Sequence, residues 1–120
     1  MPLCIIDTNA TKFSPDLPAR LIVLLAERFN KPEKTVMIEI NTKKTFFHRG
    51  GAPCAYVQCR ALQNISREEN AKTAELLNEI VAECLAIHRT RIFIEFVKVK
   101  CDDLAVGGNL LENPGAVFEG

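Results

Sequence analysis

Strand-like and helix-like segments alternate along the chain, and two helix patterns carry one apolar stripe each. Together they form two successive β-α-β units. This pattern predicts an α+β domain (an α/β two-layer): duplicated β-α-β units, with a four-stranded mixed sheet and both helices on one face. The repeat is architectural, with little identity between the halves. At 120 residues the chain suits one domain, 1–120, whose residues 101–120 read as a loop-rich tail.

Residues 2–7 (PLCIID) are a short apolar run, read as a buried strand. After a polar connection, Ser14 as N-cap and Pro15 at the first helical position predict a helix start. Leu17, Leu21, Leu24, Leu25 and Phe29 follow at helical spacing. Asn30-Lys31-Pro32 stops this helix, because the residue before a proline avoids the helical region. Residues 35–41 (TVMIEIN) read as a second strand, rich in β-branched side chains. Gly50, Gly51 and Pro53 punctuate a loop over 42–53. Residues 54–62 (CAYVQCRAL) alternate as a half-buried strand should.

In the second half, Ser66 with Glu69 three positions on reads as a capping box. Ala74, Leu77, Val81, Cys84 and Leu85 continue a long amphipathic helix to about His88-Arg89, and residues 91–100 (RIFIEFVKVK) read as a strong strand. With both helices on one face, the other sheet face is expected to hold uncovered Ile, Val and Phe side chains. An apolar face of that size needs a partner, so a homo-oligomer is expected from the residues alone.

Composition narrows the function classes. Lys+Arg and Asp+Glu balance at 15 each, which is not the basic footprint of a nucleic-acid binder. The five cysteines are odd in number and lack a C-x-x-C spacing, so they predict neither a disulfide framework nor a redox motif. Most of them read as small core residues. His48 and His88 do not supply zinc-ligand spacing, and no cofactor is expected. No basic region followed by an apolar run opens the chain, and no apolar stretch approaches the roughly 20 residues of a membrane span. A cytoplasmic protein without a membrane segment is expected.

Chemistry could sit at the N-terminus. Proline is small enough for Met1 to be removed ahead of it, which would leave Pro2 as a secondary amine at the start of a buried strand. A free α-amino group has a pKa of about 7.7–8.0. Desolvation and a nearby cation would lower it and leave a neutral base suited to taking a proton next to a carbonyl. Met-Pro alone is also a common way for a chain to begin.

The start MPLCIIDTN, the segment NKPEKTVMI at 30–38 and the segment GGAPCAYV at 50–57 occur in this order and spacing. They resemble the tautomerase family of macrophage migration inhibitory factor and D-dopachrome tautomerase. SREENAKTAELLNEIVAECL resembles the family's second helix, and RTRIFIEF at 89–96 resembles the strand after it. The resemblance covers about residues 1–110, and its motifs are specific in combination rather than singly.

It implies a homotrimer with pockets at the subunit interfaces and keto–enol tautomerase activity on phenylpyruvate-like or dopachrome-like substrates. Pro2 matches the base, Lys31 the lysine that pairs with the substrate's carboxylate or enolate oxygen, and Leu62 the position whose backbone N–H contacts substrate. Phe93 stands where many members have Tyr, and Glu95 where many have Asn. Cys54-Ala55-Tyr56-Val57 departs from the C-x-x-C found in some members, so thiol–disulfide activity is not expected. The tail is slightly longer around 100–104, and Gly108 falls where some members carry tryptophan.

The resemblance also implies an alternative: a cytokine-type factor released without a signal peptide, acting on a cell-surface receptor, with vestigial or no tautomerase activity. Ferredoxin-like RNA-binding modules share the β-α-β-β-α-β order, but they need a basic sheet and an aromatic motif with glycines that residues 91–99 lack.

Overall fold

The computed structural model describes residues 1–111. The expected loops of residues 112–120 lie outside them. The elements run β1 (Leu3–Thr8), α1 (Leu17–Phe29), β2 (Met37–Asn41), β3 (Ala55–Ala61), α2 (Arg67–Leu85), β4 (Ile92–Lys98), and a small hairpin of β5 (Ala105–Val106) and β6 (Asn109–Leu110). The main sheet has the order β2-β1-β3-β4. β1 runs parallel to β2 and antiparallel to β3, and β3 runs parallel to β4. The mixed four-stranded sheet with its two helices follows the sequence reading.

The core lies between the sheet and the helices. Cys4, Ile6 and Thr8 alternate inward from β1, and Ala55, Val57, Cys59 and Ala61 from β3. Leu17, Leu21, Leu25 and Phe29 of α1 meet them, with Thr73, Leu77, Val81, Cys84 and Leu85 of α2. Each fully buried aliphatic side chain contributes about 1.5–3 kcal/mol. Cys4, Cys54, Cys59 and Cys84 are buried, as expected of core thiols, while Cys101 is half-buried. Burial pushes the Cys59 thiol up to about 12, and burial with the neighbouring Cys59 pushes Cys4 higher still. Both are poor nucleophiles.

Three expectations need correction. First, α1 starts at Leu17 with Asp16 as N-cap, not at Ser14-Pro15. Ser14 instead closes the turn before the helix, its hydroxyl accepting the Asp16 N–H at 3.3 Å and its carbonyl the Leu17 N–H at 3.1 Å, while its own N–H donates to the Cys84 carbonyl at 2.8 Å. Second, Ser66 caps α2 by accepting from the Glu69 N–H at 3.2 Å, but the Glu69 side chain does not return the bond. It pairs with Arg28 at 2.6 Å, joining the two helices.

The third correction concerns the open face of the sheet. The register sets three rows across it: Met37–Leu3–Arg60–Val97, Glu39–Ile5–Gln58–Glu95 and Asn41–Asp7–Tyr56–Phe93. The face is mixed and strongly polar, not a sheet of Ile, Val and Phe. Ile38, Ile40, Ile94 and Phe96 pack instead against the core.

Element ends also shifted. Thr35 and Arg91, read as strand starts, and Arg89, read at the helix end, belong to the 3-10 turns 33–35 and 89–91 that feed β2 and β4.

Candidate active site

Pro2 is fully buried just ahead of β1, on the helix side of the sheet. Its carbonyl accepts the Met37 N–H at 3.0 Å, which fixes it against β2. On the other flank, β1 and β3 pair Leu3 with Arg60. Extending that register places Ala61 opposite Pro2 and Leu62 opposite Met1. Leu62 is buried at the end of β3, where the turn through Asn64 begins.

Lys31 reaches this point by way of the end of α1. Asn30 adopts the left-handed conformation, and its N–H and that of Lys31 cap the last turn. The Lys31 N–H donates to the Ala26 carbonyl at 2.9 Å and the Asn30 N–H to Glu27 at 3.3 Å, a Schellman arrangement that makes Asn30 the stop. Pro32 then prevents the helix from continuing. Asn64 and Gln63, just past Leu62, donate to the Arg28 and Phe29 carbonyls at 3.2 and 3.4 Å, so the end of β3 and the end of α1 are joined. The Lys31 cation acts on the chain's N-terminus. Burial first and the Lys31 charge second hold that ammonium's pKa below its ordinary value. The protonated form is therefore less favoured there than on an ordinary N-terminus.

A cavity of about 360 Å³ opens beside Met1. Its walls are Val36, Met37 and Ile38 of β2 and its approach, Val106 of the small hairpin, and Lys34 and Thr35 of the preceding turn. That volume lies within the roughly 300–1,000 Å³ of small-molecule sites. The lining residues of β2 and the hairpin were not among the residues singled out from sequence. The turn signal Gly107-Gly108 could have found Val106. Both glycines have positive φ, +61° and +83°, and close the two-residue hairpin that carries it. The same conformation explains why no bulky side chain stands at Gly108: in the left-handed region a tryptophan would be strained.

Phe93 and Glu95 lie elsewhere. Both are on edge strand β4 and on the open face. Phe93 shares a row with Tyr56 and Asp7, two strands across and roughly 16 Å along the strand from Pro2. His48 stacks edge-on to Phe93, with ring centres 4.9 Å apart at 89°. These rings line a separate apolar cavity of about 320 Å³ with Phe46, Cys54, Ala55 and Tyr56. Arg91 holds the loop over it, donating to the carbonyls of His48, Ala52 and Pro53 at 2.6, 2.9 and 2.9 Å. Glu95 lies beside Tyr56, and burial first and that carboxylate second raise the Tyr56 phenol. One chain therefore brings Pro2, Lys31 and Leu62 together and leaves Phe93 and Glu95 apart from them.

Among the described residues no group of three or more His, Cys, Asp or Glu side chains is placed to hold a metal ion. No helix of the described residues is long and apolar enough to cross a membrane. The arrangement at the N-terminus offers a Met1 amine of lowered basicity, a nearby cation and an apolar slot.

The family model for macrophage migration inhibitory factor matches residues 1–112. The chain is 29% identical over 112 residues to a macrophage migration inhibitory factor homolog of Brugia malayi, covering 91% of this chain and 97% of the relative. It is 28% identical to a homolog of Trichuris trichiura, covering 91% and 98%. Among solved structures, the macrophage migration inhibitory factor of Trichinella spiralis superposes with a TM-score of 0.85 at 24% identity, covering 91% of this chain and 99% of that one. The homologue from Prochlorococcus marinus gives 0.84 at 24% identity, covering 91% and 98%. At these identities the structures speak for the shared fold. The match of the family model along nearly the whole described chain carries the assignment: this chain belongs to the macrophage migration inhibitory factor family, within the tautomerase superfamily.

Proposed function

We propose that the chain is a keto–enol tautomerase acting on phenylpyruvate-like or dopachrome-like substrates, with Pro2 as its base after removal of Met1. The observation that carries this is the lowered basicity of the N-terminal amine, produced by burial and by Lys31 at the same point of the fold. Without Met1, the proline nitrogen occupies the end of the same buried segment and experiences the same two influences. Neutral, it takes a proton from the carbon next to a ketone. Lys31 and the backbone N–H of Leu62 stabilise the oxyanion that develops, and the prolinium then returns the proton elsewhere on the enol. The proton balance closes within the site and needs no cofactor.

We also infer a homotrimer with each site at a subunit interface. Its support is the separation of Phe93 and Glu95 from Pro2 within one chain, together with the family fold. A neighbouring copy can bring these side chains to the pocket mouth, which one copy cannot do. The expected setting is the cytoplasm, with release by a route that needs no signal peptide.

The test is turnover of phenylpyruvate alongside intact mass. Protein lacking Met1 turns over, and a form that keeps Met1, whose Pro2 nitrogen is an amide, loses about 10²–10⁴-fold in kcat/KM. Equal activity in the two forms removes Pro2 from the mechanism.

A second reading, a receptor-binding factor with vestigial catalysis, is favoured by Glu95. A carboxylate, here beside Tyr56, is an unpromising neighbour for an acidic substrate. It predicts receptor binding that survives loss of the Pro2 amine.

A further inference from the structure

The cavity beside Met1 has a composition that the reaction at Pro2 does not by itself require. Val36, Met37, Ile38 and Val106 make apolar walls, and none of its described lining residues carries a carboxylate. Its other polar groups are engaged. The Thr35 hydroxyl donates to the Pro32 carbonyl at 2.8 Å. The backbone N–H groups of Thr35, Val36 and Met37 are spent on Pro32, Glu33 and Pro2. Lys34 is exposed at the rim, and among the described residues its ammonium makes no hydrogen bond or ion pair. A ligand whose reacting carbon sits at Pro2 and whose substituent fills this slot therefore meets apolar surface and one lysine. Lys31 acts at the amine, and Lys34 is the one Lys or Arg among the described residues that line the slot.

We propose that Lys34 determines specificity, giving the site a preference for 2-keto acids that bear a second anionic group beyond an apolar linker, such as an aryl ring. This rests on the tautomerase reading above and adds the substrate class. The ammonium attracts the second carboxylate without touching the reacting atoms. Its effect is therefore on KM rather than kcat, and it is weakened by salt.

The experiment compares phenylpyruvate with 4-carboxyphenylpyruvate in the wild type, Lys34→Met and Lys34→Glu. The wild type is expected to favour the carboxylated substrate about threefold to fivefold in kcat/KM at low salt, the size of an exposed ion pair. Lys34→Met abolishes that ratio, mainly by lowering kcat/KM on 4-carboxyphenylpyruvate, and Lys34→Glu inverts it. A ratio that is unaltered in Lys34→Met overturns the proposal, as does an equal loss on both substrates. If the wild type turns over neither compound, the tautomerase reading fails. The binding of 4-carboxycinnamate against cinnamate, followed by nuclear magnetic resonance titration, then decides Lys34 separately. A wild-type preference lost in Lys34→Met upholds the anionic subsite, and no preference rejects it.

Discussion

The two ends of the sheet are built differently. At the Pro2 end everything is held from within one chain: β2 takes the Pro2 carbonyl, β3 brings Leu62 alongside, and the end of α1 delivers Lys31. At the Phe93 end the aromatic side chains sit on an edge strand, under a loop held by one arginine, and face outward. The first end is a site whose chemistry is set by local burial and charge. The second is a surface whose use depends on what comes to meet it.

The largest expected effect breaks the first end. Blocking the Pro2 amine by retaining Met1 removes about 10²–10⁴ of kcat/KM, while folding, followed by circular dichroism, is unchanged.

Next is Lys31→Met. It removes an oxyanion partner, an effect of about 10²-fold in kcat. It also moves the pH profile. Activity requires the neutral amine, so it rises with pH as the amine loses its proton, and the lowered pKa puts the midpoint of that rise below the ordinary α-amino value of about 8. Removing the Lys31 charge raises that pKa and shifts the rising limb upward. The limb does not move all the way to the ordinary value, because burial is the larger cause and stays. A profile that does not move would mean that Lys31 does not act on the base.

Arg91→Ala tests the second end. It releases three carbonyls of the loop over Phe93 and should cost about 1–2 kcal/mol in chemical denaturation. In the trimeric reading it also weakens subunit association, measured by sedimentation, before it alters the Pro2 site.

The smallest effect is that of Glu95→Gln. Losing the carboxylate lowers the Tyr56 phenol part of the way toward its usual value of about 10, and an ultraviolet titration reads this directly.

Much of this was legible in residue order. The stripe of Leu17, Leu21, Leu25 and Phe29, the Ser66 cap, the Asn30-Lys31-Pro32 stop and the strand runs all act through neighbours within a few residues, and the fold followed them. The polarity of the open face was misread. The isoleucines of β2 and β4 point to the helices, and which of two alternating sets points inward depends on pairing with a strand far along the chain. The start of α1 moved by a short step only: Ser14 still accepts the Asp16 N–H through its hydroxyl, but in a turn that precedes the helix.

Sequence alone thus determined the elements, their stops and the family motifs at Pro2 and Lys31, because helix periodicity, capping and proline geometry are local. Only the tertiary structure decided that Leu62 and Lys34 flank the N-terminus, that Val106 reaches it on a Gly-Gly hairpin, and that Phe93 and Glu95 stand apart. Strand order and register join residues separated by tens of positions, and no local preference encodes which of them will meet.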